Sequence, residues 1–240
     1  MSNPLIMRIV TFCLLVLYSA WAQAGIVIGG TRFVFHGSED TLSLHVRNTS
    51  SLPYLIQTKI MPSEAQPMES DSAFMPTPPL FVLNAGRENA VRIVNISERL
   101  PQDRESLFWL VIAGIPAASK SGNTNTVQFA VRNRMKLFYR PAGLSDAAAK
   151  KAPSRLQWAR SGAAVQINNP TPYYVTLVNV TVNGHSIEDA TMLAPFATES
   201  RPWCDASRCE IRWQALNDLG VAQPARRVEP GEQPRKGSPR

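Results

Sequence analysis

"TVQFAVRNRMKLFYRP", residues 126–141, carries two patterns in one extended run. Val127, Phe129 and Val131 alternate with small or polar residues, the period-2 signature of a strand with one apolar face. Further along, Arg132, Arg134, Lys136 and Arg140 are threaded through Met135, Leu137, Phe138 and Tyr139. The apolar row reads in two ways. It is either an edge packed on its own core, or a row offered to another chain, because an exposed edge keeps free backbone donors and acceptors. Strict alternation puts Lys136 on the opposite face from Val131. There it is either a snorkelling surface lysine or a cation in a cleft among Leu137, Phe138 and Tyr139, where burial calls for an anion.

Working outward, the chain reads as strands. "TLSLHVRNTS" (41–50), "YLIQTKI" (54–60), "AVRIVNI" (90–96) and "LFWLVIAGI" (107–115) each show strand composition and are set off by turn residues. Pro76, Pro78 and Pro79 break the run between Ile60 and Leu80, and "LNAGREN" reads as a turn. After Pro141 the texture changes to "AGLSDAAAKKAPS", a linker or short helix. Strands resume in "AAVQINNPTPYYVTLVNVTVNG" and "EIRWQALNDLG". Many short strands with regular turns predict an all-β chain of two sandwiches. The expected boundaries are a first domain over 25–143, a second over 144–228, and a Pro-, Gly- and charge-rich tail over 229–240 read as disordered.

At the N-terminus, Arg8, an apolar run of about ten residues and Ala22-Gln23-Ala24 read as a secretory signal over 1–24, shorter than the roughly 20 apolar residues of a membrane span. Removing those 24 residues leaves 216 of the 240, and losing Arg8 takes the formal charge from +7 to about +6. Export makes nucleic acid an unsuitable partner for that charge. Cys13 leaves with the signal. Cys204 and Cys209 remain, an even pair in an exported chain, which reads as a disulfide at a hairpin tip. A two-cysteine metal site is the alternative, but no histidine lies near.

Catalytic signatures are missing. His36, His45 and His185 are far apart, and neither G-x-S-x-G, a P-loop nor H-E-x-x-H occurs. The expectation is a non-enzyme without metal or cofactor.

The residues quoted so far also carry a resemblance. "RMKLFYRP", "LPQDRESLFW" (100–109), "NNPTPYYVTL", "ALNDLG" and "TRFVF" resemble, in order and spacing, the motifs of the periplasmic pilus (fimbrial) chaperones of the PapD type. The resemblance implies two immunoglobulin-like β-sandwich domains in a boomerang arrangement with a cleft between them. It implies that Arg32 and Lys136 anchor the C-terminal carboxylate of a pilus subunit. Val127, Phe129 and Val131 would be donated to that subunit in donor-strand complementation. Glu105, Arg140 and Asp218 would form an interdomain ionic triad, and Thr77-Pro78 a cis-proline site. The short segment "AASKSGNTN" resembles the short-loop subgroup. The implied partners are pilus subunits, a tip adhesin and an outer-membrane usher, in the periplasm, with a self-capping dimer made plausible by the apolar edge. The rival reading from another class is a secreted immunoglobulin-like binding or structural protein. It explains the signal, strands and cysteines but requires neither the Arg32 and Lys136 cations nor an apolar edge row.

Overall fold

The computed structural model describes residues 25–63, 73–97, 99–117, 129–188, 191–204 and 209–232. The expected signal, Val127 and most of the short segment before it lie outside the described residues.

The first sandwich is built from β1 (Ile26–Ile28), β2 (Arg32–His36), β3 (Thr41–Asn48), β4 (Tyr54–Pro62), β5 (Phe74–Thr77), β6 (Leu80–Leu83), β7 (Glu88–Asn95), β8 (Ser106–Pro116) and β9 (Val131–Arg140). One sheet runs β1-β3-β7-β5 and the other β2-β9-β8-β4-β6. The alternation seen in the sequence is the packing code. On β3, Leu44 and Val46 are buried while Ser43, His45 and Arg47 are exposed. Facing rows from the second sheet supply Phe35, Ile56, Phe108, Leu110, Ile112 and Leu137 to the same core. Phe74 centres an aromatic cluster, 5.1 Å from Phe35 and 4.9 Å edge-on to Phe108. Each such side chain contributes about 1.5–3 kcal/mol when fully buried.

A helix, α1 (Asp146–Lys151), follows Pro141. The Ser145 hydroxyl caps it by accepting from the Ala148 amide, with Asp146 in its first turn and Lys150 and Lys151 in its last, each complementing the helix dipole. Pro153 then sits in a 3-10 turn over Ala152–Arg155.

The second sandwich holds β10 (Gln157–Ser161), β11 (Ala164–Asn168), β12 (Val175–Val182), β13 (His185–Ile187), β14 (Thr191–Leu193), β15 (Thr198–Arg201), β16 (Ile211–Ala215), β17 (Arg226–Val228) and β18 (Gly231–Glu232). Its sheets run β15-β11-β10-β18 and β13-β12-β16-β17, with β14 also on β12. Cys204 and Cys209 are joined in a disulfide at this core. The hairpin tip expected between them lies outside the described residues.

A buried asparagine holds a corner of each sandwich in the same way. Asn48 donates from Nδ2 to the Leu52 and Leu83 carbonyls, and its Oδ1 accepts from the Ser50 amide and hydroxyl. Asn169 donates to the Tyr173 and Ala194 carbonyls and accepts from the Thr171 amide and hydroxyl. Both are fully buried. Each satisfies two backbone carbonyls and orders a turn, so neither domain leaves that corner's polar groups orphaned.

One expectation needs correction. The proline-rich stretch was expected to interrupt the strands, yet Phe74–Thr77 pairs with β7 and includes Pro76. Being an edge strand, β5 tolerates a residue without an N–H. The Thr77–Pro78 peptide that follows is cis. Within the 229–240 tail, Gly231 and Glu232 pair in parallel with Ala159 and Arg160 of β10. The pattern was invisible because two residues are too few to show a period. Residues 233–240 lie outside the described residues.

Candidate functional site

The stretch that opened the reading becomes β9, and its two ends have different neighbours. On one side, β8 pairs antiparallel along its whole length, from Tyr139 opposite Ser106 to Val131 opposite Gly114. On the other side, β2 pairs in parallel only from Arg32 opposite Lys136 to His36 opposite Arg140. The reason is local. The first strand pairs with β3 in the opposite sheet, and the chain crosses over at Gly29 and Gly30 before β2 begins. Among the described residues, none pairs with 131–135 on that side, which leaves an open lane beside them. A cavity of about 270 Å³ lies there, lined by Ile26, Ile28, Thr31, Asn133 and Met135 among others.

Met135, Leu137 and Tyr139 face the core. Val131 and Phe129 continue in the same phase beyond the core's end, and are 54% and 78% exposed. The apolar row is thus the core row prolonged past its own sandwich. Lys136 lies on the opposite face. Leu137 and Tyr139 are not its neighbours there, contrary to the expectation; it shares that face with Phe138, which is buried against the Tyr174 ring of the second domain at 5.5 Å.

Arg32 and Lys136 are direct cross-strand partners where β2 begins. Both are half-buried. Burial, and then the Arg32 charge, hold the Lys136 ammonium below the ordinary lysine range. Burial likewise lowers the Arg32 guanidinium, against the more distant Asp218 and Glu105 carboxylates. Arg32 lies 5.7 Å from the Phe138 ring centroid. Among the described residues, no carboxylate makes an ion pair with either cation. Two adjacent, partly desolvated cations form a site that gains from an anion.

Deeper in the cleft, Arg140 is 2% exposed and saturated. Its Nε donates to Glu105 Oε1 at 2.8 Å, and its two terminal nitrogens donate to both oxygens of Asp218 at 2.9 and 3.0 Å. Asp146 of α1 accepts a further bond at 2.5 Å and is itself 2.9 Å from His36 Nε2. Glu105 also accepts from the Tyr174 amide at 2.8 Å, which ties the first domain to the second. Burial pushes the Glu105 carboxyl up, against the pull of Arg140 and that amide. For Arg140, burial alone would depress the guanidinium, but the Asp218 bonds and the Glu105 charge outweigh it and raise it. Burial and the Glu105 charge push the Tyr174 phenol up to about 12. A cavity of about 230 Å³ opens here, walled by Arg32, Phe138, Tyr174, Asp218 and Leu219 among others.

The structure therefore brings Arg32 next to Lys136, and Glu105, Arg140 and Asp218 into one cluster. It leaves Phe129 and Val131 exposed in the open lane. Sequence reasoning missed Asp146, His36 and Tyr174. Asp146 had one signal, its place after a capping serine in "LSDAAAKK", but nothing there aims it at Arg140. Among the described residues no cluster of three His, Cys, Asp or Glu side chains could hold a metal, and no helix is long and apolar enough to cross a membrane.

Residues 25–145 match the family model for the pili and flagellar-assembly chaperone, PapD N-terminal domain, and residues 151–227 match that for the pili assembly chaperone PapD, C-terminal domain. The chain belongs to the PapD family of pilus-assembly chaperones. It is 37% identical over 204 residues to the fimbrial chaperone YcbF of Escherichia coli K12, covering 82% of this chain and 85% of that one. With the chaperone protein FimC of Escherichia coli O6:H1 it shares 34% identity over 229 residues, 90% of this chain and 92% of the relative. Among solved structures, the SafB chaperone in complex with the Salmonella enterica SafA pilin superposes with a TM-score of 0.73 at 28% identity, covering 88% of this chain and 98% of that one. The all-β architecture of two immunoglobulin-like sandwiches is that of this family, and the protein is a chaperone of fimbrial assembly.

Proposed function

We propose that this chaperone captures a pilus subunit by anchoring the subunit's C-terminal carboxylate between Arg32 and Lys136 and completing its sandwich with β9. The observation that carries the reading is the open lane beside residues 131–135, with a cation pair at its closed end that meets no carboxylate among the described residues. A guest strand entering the lane meets Arg32, where β2 begins, and can go no further. Its terminal carboxylate neutralises both cations, and the guest then runs parallel to β9, as β2 does. Val127, Phe129 and Val131 fill the groove of an incomplete subunit, at about 1.5–3 kcal/mol for each large side chain fully buried. The Glu105, Arg140 and Asp218 cluster fixes the angle between the domains, so that the guest meets both walls of the cleft.

In this reading the protein works in the periplasm and hands its subunit, or a tip adhesin, to an outer-membrane usher. It needs no cofactor and catalyses no covalent step, because strand exchange and completion of the subunit's fold supply the driving force. The shortness of the stretch before Val127 supports assignment to the short-loop chaperones. Without a guest, the exposed Phe129 and Val131 favour pairing of two chaperones edge to edge.

The test is co-expression in a fimbriated host, comparing tagged wild type with the Arg32→Ala/Lys136→Ala variant. Wild type should retain a fimbrial subunit, identified by mass spectrometry, that the folded variant loses. Equal retention by both would overturn the anchor, and no subunit bound by either, with subunits present, would overturn capture itself.

A further inference from the structure

The outward face of the sheet that carries β9 has a charge pattern that neither the strand row nor the carboxylate anchor requires. Cross-strand registers set its side chains in three rows. Met61, Trp109, Lys136 and Arg32 form the row at the cleft. Lys59, Val111 and Arg134 form the next, and Gln57, Ala113 and Arg132 the third. Five cations thus share a face on which β2, β4, β8 and β9 place no carboxylate before the Arg140 cluster. Among the described residues, no ion pair engages Lys59, Arg132 or Arg134, all three exposed. The opposite sheet differs. There Glu88 stands directly across from Arg47 and holds His45 at 2.8 Å, so the charges are mixed and partly paired.

Arg134 is more than an exposed charge. Its guanidinium carbon lies 3.9 Å from the centroid of the Trp109 ring. Stacking holds the planar group while leaving its N–H edges free, and less freedom remains to be lost when it meets a carboxylate. Val111 and Ala113, buried beneath these long side chains, give the face a dry floor. Interactions of this kind act mainly on encounter rate and register, since same-sign charges on one face steer an oppositely charged partner.

We propose that Lys59, Arg132 and Arg134 form a docking surface for an acidic face of the captured subunit, separate from its donated groove and its terminal carboxylate. The surface is continuous with the open lane and ends at Lys136. A guest held in the lane lies against it, and among the described residues no carboxylate pairs with its cations. The inference rests on the capture reading above.

The experiment uses the subunit that wild type retains in the co-expression test, purified and unfolded, and follows its association with full-length chaperone by stopped-flow fluorescence at 20 mM and 500 mM salt. Lys59→Glu/Arg134→Glu is compared with Arg47→Glu/Arg92→Glu, which changes the net charge equally on the opposite sheet. The expected result at low salt is about a tenfold slower association for the first pair and less than twofold for the second, with the gap closing at high salt. Equal slowing by both pairs would assign the effect to net charge, and no slowing by either would leave the face without a role in capture; both overturn the proposal. Vesicles of phosphatidylglycerol and phosphatidylcholine supply the other arm. If Lys59→Glu/Arg134→Glu abolishes vesicle binding but leaves subunit association unchanged, the face belongs to a membrane and the proposal falls. Should wild type retain no subunit at all, the capture reading fails first and takes this inference with it.

Discussion

Arg32 and Arg140 lie on the same face of the same sheet, beside opposite ends of the β2–β9 pairing. Arg140 gathers Glu105, Asp218 and Asp146. Arg32 makes no ion pair among the described residues, and its cross-strand neighbour, Lys136, carries a charge of its own sign. The same side chain therefore stands in opposite settings, four register positions apart along β9. A guanidinium whose donors are all met within the chain is a fixed joint. One left facing another cation gains from an anion, which is the role the proposed capture gives Arg32.

The largest effect is expected at the joint. Arg140→Ala leaves the buried Glu105 carboxylate without its partner, and should cost about 3–5 kcal/mol of stability. Urea unfolding monitored by tryptophan fluorescence will measure it, and a loss under 1 kcal/mol would make the joint dispensable. Next in size, Arg32→Ala/Lys136→Ala should lower affinity for the terminal carboxylate of a subunit about 100-fold, while stability stays the same or rises because a desolvated like-charge pair is removed. Isothermal calorimetry with a peptide of the retained subunit's last residues, alongside urea unfolding, reads both; a large loss of stability would make this pair a joint as well.

The third test uses pH. Burial and Arg32 lower Lys136 in the free protein. A bound carboxylate favours the ammonium, so the bound value is higher than the free one. Affinity is then level below the free-state value and falls as pH rises from it toward the bound value, a window that opens below the ordinary lysine range. Lys136→Arg should abolish the fall. A wild-type affinity that holds constant through the alkaline range would argue against carboxylate capture at Lys136. The smallest effect is expected for Asp146→Asn. Its carboxyl is held below the ordinary range by the Arg140 hydrogen bond, then by His36, but its side chain is 64% exposed and solvent screens it. The expected loss is about 0.5 kcal/mol at neutral pH. The lowered value makes that contribution present above the carboxyl's unfolded pKa and lost as pH falls through the folded one, so wild type and variant should converge in acid. A loss above 2 kcal/mol would make Asp146 a full member of the joint.

The strands were legible because their apolar residues alternate, as on β3, where one face is buried and the other wet. The sandwich class followed from many such runs. The pairing of Arg32 with Lys136 was legible only through family resemblance, since nothing in "TRFVF" says which strand will lie beside it. Asp146 and His36 were illegible for the same reason, because tertiary register brings together residues that are 110 positions apart. The edge strand with Pro76 was missed because proline reads as a breaker until the strand's place at a sheet edge is known. The cationic face was hidden too. Lys59 and Arg134 look like scattered surface charges until β8 places Val111 between them.

The crossover at Gly29 and Gly30 has one more consequence. Because β2 occupies the place beside β9 from Arg32 onward, a guest captured as proposed is measured from its last atom, as if against the zero of a ruler. Side chains alternate along a strand, so one added residue at the guest's C-terminus turns every side chain to the wrong face, while two added residues restore the faces but shift the row by one step. Under that proposal the chaperone would select among subunits by counting, and what it would count is the distance in residues between the open groove and the end of the chain.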